Sequence, residues 1–374
     1  MNFDLSSDQK MLVDTAATFA KKSSPVQRLR RLRGDELGFE KKVWRQMGEL
    51  GWLGILYPDE LGGFGGQFQD AALVLEQFGT TLVPEPYIPA VILGGMPILR
   101  AGTDEQKQRL LVPLIDGASI LALAWAERHS RFDVSRVEAK AEPAGDSYVL
   151  SGEKQWVLCG HAANHLVVSA GISGQDGVSL FVVDAAADRV DIQPVSTMDG
   201  HRAAQIRFDG AKAELVGSAG AGAQVLEDVM DLAAAAACAE GVGITQAVLD
   251  MTVDYLKTRE QFGTRIGAFQ VLQHRAVDMF VQMQLCRSMS LEASIRMDED
   301  DRVARQSAVS AAKTQLSTGG RHVVRQGIQL HGGIGCTDEH DIGLYFKRMQ
   351  VLTTLFGDEE FHVTRYASLP SFAA

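Results

Sequence analysis

Apolar positions recur at helical spacing through the first third of the chain. Ser6-Ser7-Asp8-Gln9 has the form of a capping box, with Gln9 three residues after Ser6, and Met11, Leu12, Ala16 and Phe19 follow on one face. The same spacing predicts helices over 40–50, 69–78 and 104–115, broken by a loop at Gly62-Gly63-Phe64-Gly65-Gly66. Near residue 121 the period shortens. Short strands are predicted at 148–150, 166–168, 180–183, 190–192 and 205–208, with turns at 174–177 and 199–200. Several short strands at this spacing predict a compact β-barrel or sandwich. From about Ala223 the helical pattern returns and is expected to hold to the end. In the run Ala233–Ala237, continued by Cys238 and Ala239, small side chains admit a neighbouring backbone or a ligand, and close helix packing is the more ordinary use. The expected organisation is a helical domain over 1–120, a β domain over 121–220 and a helical bundle over 221–374, with no long polar linker between them.

Composition narrows the function classes. The 374 residues are 46% hydrophobic and 22% charged, as in a globular protein, and the net charge of −11 disfavours nonspecific binding to nucleic acid or anionic membrane. The cysteines Cys159, Cys238, Cys286 and Cys336 are scattered, which argues against a metal site or a disulfide framework and fits a reducing compartment. Met1-Asn2-Phe3-Asp4-Leu5 has no signal-peptide character, and no apolar run is expected to span a bilayer, so the expected location is cytoplasmic.

No G-x-G-x-x-G follows a predicted strand, which argues against a Rossmann-type nicotinamide site, and the Gly62 loop lacks the Lys-Ser/Thr of a P-loop. More informative is 258–273. An amphipathic helix through Val248, Leu249, Val253 and Leu256 leads to Arg259, three residues before Phe262. An arginine there can fork onto pyrophosphate oxygens while the phenylalanine offers a flat apolar face. Alone, the pair also fits a solvated arginine beside a core aromatic. Gln329 before Gly332-Gly333 joins an amide to a backbone that a ligand can approach closely, or is simply a tight helical turn.

Taken together these motifs resemble the acyl-CoA dehydrogenase family. The resemblance rests on Arg259-Glu260-Gln261-Phe262-Gly263 running on to Phe269-Gln270-Val271-Leu272-Gln273, and on Gln329-Leu330-His331-Gly332-Gly333-Ile334-Gly335. Glu49–Ile55, Pro58–Gly63 and Gly152-Glu153-Lys154-Gln155-Trp156 extend it over essentially the whole chain. It implies an α+β fold: an N-terminal helical domain, a middle β-barrel and a C-terminal four-helix bundle, usually assembled as tetramers. It also implies FAD as cofactor, an acyl-CoA thioester as substrate and an electron-transfer flavoprotein as acceptor. In that chemistry a carboxylate removes the α-proton while the β-hydrogen leaves as hydride to the flavin, giving the 2-enoyl-CoA. Carried over position by position, Arg259, Phe262, Gln329, Gly332 and Gly333 would meet the nucleotide half of a neighbouring subunit's FAD, and Trp156 would lie against the isoalloxazine.

The departures cluster elsewhere. Where the family has Trp-Ile-Thr the chain has Trp156-Val157-Leu158, and leucine donates no hydrogen bond. The family's hydroxyl-rich Thr-Glu-Pro stretch corresponds to Ala126–Asp133. Its catalytic glutamate falls at Gly357, or at Phe356 in the adjacent register, and the alternative position used by some members falls at Ala233. Asp358 is the nearest acid, followed by Glu359 and Glu360; a helix-start acidic face and a displaced base are both open readings. Cys159 and His331, near the implied flavin, are read as packing residues. These differences resemble the small or non-catalytic subunit of heteromeric acyl-CoA dehydrogenases of the pimeloyl-CoA or steroid side-chain type. The expectation is therefore a heterotetramer in which a paralogous subunit supplies the glutamate. The alternatives are a homomer using Asp358 as base, or a scaffold without redox chemistry.

Overall fold

The computed structural model describes residues 4–370. The amino-terminal helices are α1 (Ser7–Ser23), α2 (Val26–Leu32), α3 (Lys41–Glu49), α4 (Phe68–Thr81), α5 (Met96–Ala101) and α6 (Asp104–Ile115). The capping box at α1 forms as the sequence predicts: Gln9 N–H donates to Ser6 Oγ (3.1 Å) and Ser6 N–H to Gln9 Oε1 (3.1 Å). Thr103 and Gln106 repeat it at α6. Between α4 and α5, Tyr87–Gly95 forms a wide π-helical stretch that the sequence pattern did not reveal.

Seven strands follow: β1 (Leu121–Ala124), β2 (Lys140–Ala144), β3 (Ser147–Leu158), β4 (His165–Ile172), β5 (Ser179–Asp184), β6 (Val190–Ser196) and β7 (Arg202–Val216). Pairings β4–β2–β3–β7–β5–β4 close a barrel; β1 runs parallel to β4, and β6 lies antiparallel along β7. Its interior is filled by Leu150, Val157, Leu166, Val168, Phe181, Ile206 and Phe208. Strands β1 and β2 were missed in the sequence. All four residues of β1 are buried, so it shows no alternation, and β2 buries only Ala141.

The remaining elements are α7 (Gly222–Thr258), a hairpin of β8 (Glu260–Gln261) and β9 (Thr264–Arg265), α8 (Gln270–Arg296), α9 (Arg302–Gln315), α10 (Arg321–His331), α11 (Ile342–Leu352) and α12 (Glu359–Ser368). The hairpin corrects the expectation of uninterrupted helix from Ala223. A second correction concerns α7, which contains a stretch long and apolar enough to cross a bilayer, contrary to the sequence-based expectation. That stretch is 89% buried, as in the core helix of a folded protein.

Contacts sort the chain into two units. One takes the chain from its start to Arg31, Gln67–Val83 and everything from Ala234 onward; the other takes Leu32–Gly66 and Pro84–Ala233, including the barrel. Within the first unit α4 crosses α7 backbone to backbone. A Cβ on Gly79 would overlap the Glu240 carbonyl oxygen, and one on Gly243 would overlap that of Glu76. The crossing is locked by Glu240, 6% exposed, whose carboxylate accepts from Arg348 Nε (2.6 Å) and Nη2 (2.8 Å) on α11. Gly243→Ala is expected to cost about 2–4 kcal/mol, because the overlap is with backbone and cannot be relieved by a rotamer. Urea unfolding of the variant against the parent chain measures it; a change below 1 kcal/mol would show that the helices separate easily.

Candidate functional site

The end of α7 leads into a short exposed hairpin. Glu260 pairs with Arg265 and Gln261 with Thr264, leaving Phe262-Gly263 as a two-residue turn with φ of 55° and 76°. A phenylalanine in the left-handed region is strained, and its ring is 90% exposed, so the turn gains nothing from burying it. Arg259 is exposed, and no acid pairs with it among the described residues. Gln273 Nε2 donates to Gly267 O (2.8 Å), which ties the hairpin to the first turn of α8.

Gln329, Gly332 and Gly333 are also exposed, and they are brought to the same end of the unit by an aromatic stack. Tyr255, one turn before Arg259, lies 4.5 Å from the ring of His331, which in turn contacts His340 at 4.6 Å. Gly332 has φ 63° and ψ −138°, a conformation essentially reserved for glycine. No atom lies within 4 Å of a Cβ placed on Gly332 or Gly333, so internal packing does not require these glycines. His331 Nδ1 bonds to Gly327 O (2.8 Å), and its buried Nε2 has no partner among the described residues. Burial lowers the His331 pKa, so the ring is held neutral.

The barrel carries Trp156 in isolation from these groups along the chain. A register shift between Lys154 and Val157 makes a bulge in β3. Trp156 sits there with φ 52° and 58% of its surface exposed. Cys159, four-square in the core at 3% exposure, has its thiol pushed up to about 12 by burial, which agrees with a packing role.

The turn at 356–358, where the sequence places the family's base by expectation, is filled with structure. Lys313 on α9 is fully buried, and its ammonium donates to Leu352 O (2.6 Å) and Leu355 O (2.7 Å) at the carboxyl end of α11. Burial draws its pKa down to about 8, against the opposing pull of Cys238 and Asp358. Phe356 and Gly357 then take φ values of 59° and 110°. Asp358 is the N-cap of α12, accepting from Phe361 N–H (3.0 Å). His362 folds back so that Nε2 meets Phe356 O (3.0 Å), and burial takes its pKa down to about 3. The other aligned position, Ala233, is completely buried in α7.

Sequence reasoning overlooked Lys154, Lys313 and His362. Two of them left a signal: Lys154 shares strand parity with buried Leu150, and Lys313 falls four residues after Val309 on the buried face of α9.

The acyl-CoA dehydrogenase N-terminal, middle and C-terminal domain models match residues 6–118, 122–211 and 220–368. "Probable acyl-CoA dehydrogenase YngJ" of Bacillus subtilis (strain 168) is 32% identical, covering 91% of this chain and 92% of its own. "Acyl-CoA dehydrogenase IpdE2" of Mycolicibacterium smegmatis (strain ATCC 700084 / mc(2)155) is 31% identical, covering 94% and 96%. Among solved structures, the ChsE4-ChsE5 complex from Mycobacterium tuberculosis superimposes with a TM-score of 0.88 at 25% identity over 98% of this chain and 97% of that one. The chain belongs to the acyl-CoA dehydrogenase family, a family of FAD-dependent oxidoreductases. The helical and barrel architecture expected from the sequence is the one observed.

The residues present fit one half of that cofactor better than the other. The unpaired Arg259, the open glycines and the exposed Phe262 ring suit a diphosphate and adenine. The exposed Trp156 would offer a flat face to a flavin ring, and Leu158 has no group that could donate to one.

Gly357→Glu is expected to leave the chain without acyl-CoA-dependent flavin bleaching. A Cβ at Gly357 would stand 2.5 Å from both His362 Nε2 and Phe361 Cδ1, at a φ of 110°. Bleaching by the single variant, followed at the flavin absorbance band, would show that the turn rearranges freely. His362 sets a pH dependence. Its folded pKa lies below the ordinary value near 6.5, so the unfolded chain takes the proton first and stability is lost as pH falls from about 6.5 toward 3. Between pH 7.5 and 5.5 the parent should lose about 1.4 kcal/mol more than His362→Gln in urea unfolding; equal losses would mean that His362 is protonated in the fold.

Proposed function

We propose that the chain is a subunit of a heteromeric acyl-CoA dehydrogenase. A paralogous partner subunit carries the catalytic glutamate and binds the acyl-CoA at its own flavin. This chain lends Arg259, Phe262, Gln329, Gly332 and Gly333 to the nucleotide half of the partner's FAD. The observation that carries the reading is the contrast between two parts of one unit. The nucleotide-type residues stand exposed, with a strained Phe262 at 90% exposure whose ring meets only the edge of Phe269, while the turn aligned with the base is filled by Lys313 and His362.

FAD, when bound, supplies the hydride acceptor for α,β-dehydrogenation of the thioester. The chain's part is binding and orientation: Arg259 forks onto the diphosphate, Phe262 and the Gly332-Gly333 turn flank it, and Gln329 bonds the nucleotide. An electron-transfer flavoprotein is the proposed acceptor. The solved ChsE4-ChsE5 complex supports a two-component assembly, since its name joins two chains and this chain resembles that structure throughout its length. The substrate class proposed is a bulky acyl thioester of the steroid side-chain or dicarboxylic kind.

The deciding experiment measures flavin per chain by absorbance, for the protein alone and co-expressed with a paralogue that carries the glutamate. Little flavin alone, with flavin and acyl-CoA-dependent bleaching in the mixed assembly, is the expected result. Near-full flavin and bleaching in the homomer would favour Asp358 as base, with Asp358→Asn as the check; no flavin in any assembly would favour a scaffold. Within the mixed assembly, Arg259→Ala in this chain should weaken flavin retention about tenfold or more, as the loss of a charge-assisted bond costs roughly 1.5–3 kcal/mol. Phe262→Ala should leave the unfolding free energy of this chain within about 0.5 kcal/mol of the parent, because the ring packs so little. Unchanged flavin retention in Arg259→Ala would remove this chain from the partner's cofactor site.

A further inference from the structure

The barrel contains a buried ion pair that neither the proposed chemistry nor ordinary core packing requires. Lys154 is 0% exposed, and its ammonium donates to Glu127 Oε1 (2.6 Å), Ser169 Oγ (3.0 Å) and Trp125 O (3.3 Å). Glu127, 8% exposed, also accepts from two consecutive backbone N–H groups, those of Glu138 (2.6 Å) and Ala139 (3.1 Å). Its own N–H donates to Ser130 Oγ (2.9 Å). One carboxylate thereby closes both ends of the excursion 127–138 between β1 and β2. Next to Lys154, Gln155 N–H donates to Ala126 O (2.8 Å), and the residue after that is Trp156, at the bulge.

The arrangement is costly in a way that an apolar barrel core is not. Removing a carboxylate and an ammonium from water carries a penalty of several kcal/mol per ion, which hydrophobic residues of similar volume would avoid. A chain that needed only a stable barrel would do as well with leucines. What leucines cannot do is accept from Glu138 and Ala139 while donating to Trp125. The pair fixes the direction in which 126–139 leaves the barrel relative to the strand that presents Trp156.

We propose that Lys154 and Glu127 are positioning residues that hold Trp156 and the 126–139 segment in a single geometry, forming a two-part wall for a planar ring. This rests on the family reading that Trp156 lies against a flavin ring, here a ring held at this chain in the mixed assembly and distinct from the one at the partner's own site. Neither residue touches the ring: they act through the bulge and the excursion. The wall lies in the half of the site where the family's hydroxyl groups are replaced, so its shape is kept where its hydrogen bonds are not.

Two kinds of readout test this, and the first, read from amide exchange and a tryptophan resonance, needs no flavin. In Glu127→Ala, amide hydrogen exchange at Glu138 and Ala139 should quicken at least tenfold, while Glu127→Gln, which keeps an acceptor oxygen, should restore most of the protection. With 5-fluorotryptophan incorporated at the four tryptophans, the Trp156 resonance, assigned through Trp156→Phe, should shift or broaden in Lys154→Met while that of Trp44 stays in place. Unchanged exchange and an unchanged Trp156 resonance would overturn the proposal, whatever the assembly does. The second readout is the flavin absorbance spectrum of the co-expressed assembly. A loosened wall should blue-shift or broaden the band and lower occupancy about fivefold. A loosened wall with an identical spectrum and occupancy would overturn its assignment to a ring ligand, without bearing on whether this chain serves a partner's nucleotide site.

Discussion

Glu240 is the residue on which the larger helical unit depends. Its carboxylate is taken by Arg348 on α11, and its backbone carbonyl faces Gly79 on α4 at a distance that only glycine allows. Three helices are thus referred to one residue of α7. A buried pair of this kind contributes little net stability, but losing one partner strands a charge, so the arrangement is held to one packing. Tyr345, three residues before Arg348, bonds back to Thr80 O (2.7 Å) and repeats the constraint one turn away. With α11 placed in this way, its final carbonyls meet Lys313, and the turn at 356–358 follows.

That chain of constraints fills the turn at 356–358, where the sequence places the family's base by expectation. A glutamate lost from an otherwise open turn would leave room for its return. Here the ammonium of Lys313 takes the Leu352 and Leu355 carbonyls, His362 takes that of Phe356, and Asp358 spends a carboxylate oxygen on capping α12. Lys313 and His362 are satisfied polar groups in buried places, and leaving either unpaired costs more than the bond itself contributes. The surface at the end of α7 in the same unit has the opposite character. Arg259, Phe262, Gln329 and the two glycines are exposed and their packing within the chain is slight, so their arrangement is best understood through something outside it.

Much of this was legible in the amino-acid sequence. Caps, turns and period are local properties, so the box at Ser6, the helix over 104–115, the Gly62 loop and five of the strands could be placed from neighbouring residues alone. The family and its fold were likewise carried by short runs such as Arg259–Gly263 and Gln329–Gly335, which name themselves by residue type and order. Strands β1 and β2 escaped because their pattern is set by what covers them. The β8–β9 hairpin escaped because its turn places a phenylalanine where local preference asks for asparagine or glycine.

Sequence by itself determined which residue types were available: Arg259, two adjacent glycines at 332–333, the indole of Trp156, and Gly357 followed by Asp358. Tertiary structure decided what those residues were free to do. Lys154 and Lys313 look in the sequence like any solvated lysine, yet both are wholly buried, one tying an excursion to a bulge and the other closing a helix end. The reason is that a charge's role depends on its desolvation and its partners, and both are fixed by residues far away in the chain, such as Glu127 and Leu352. Chemical identity is local, and electrostatic environment is not.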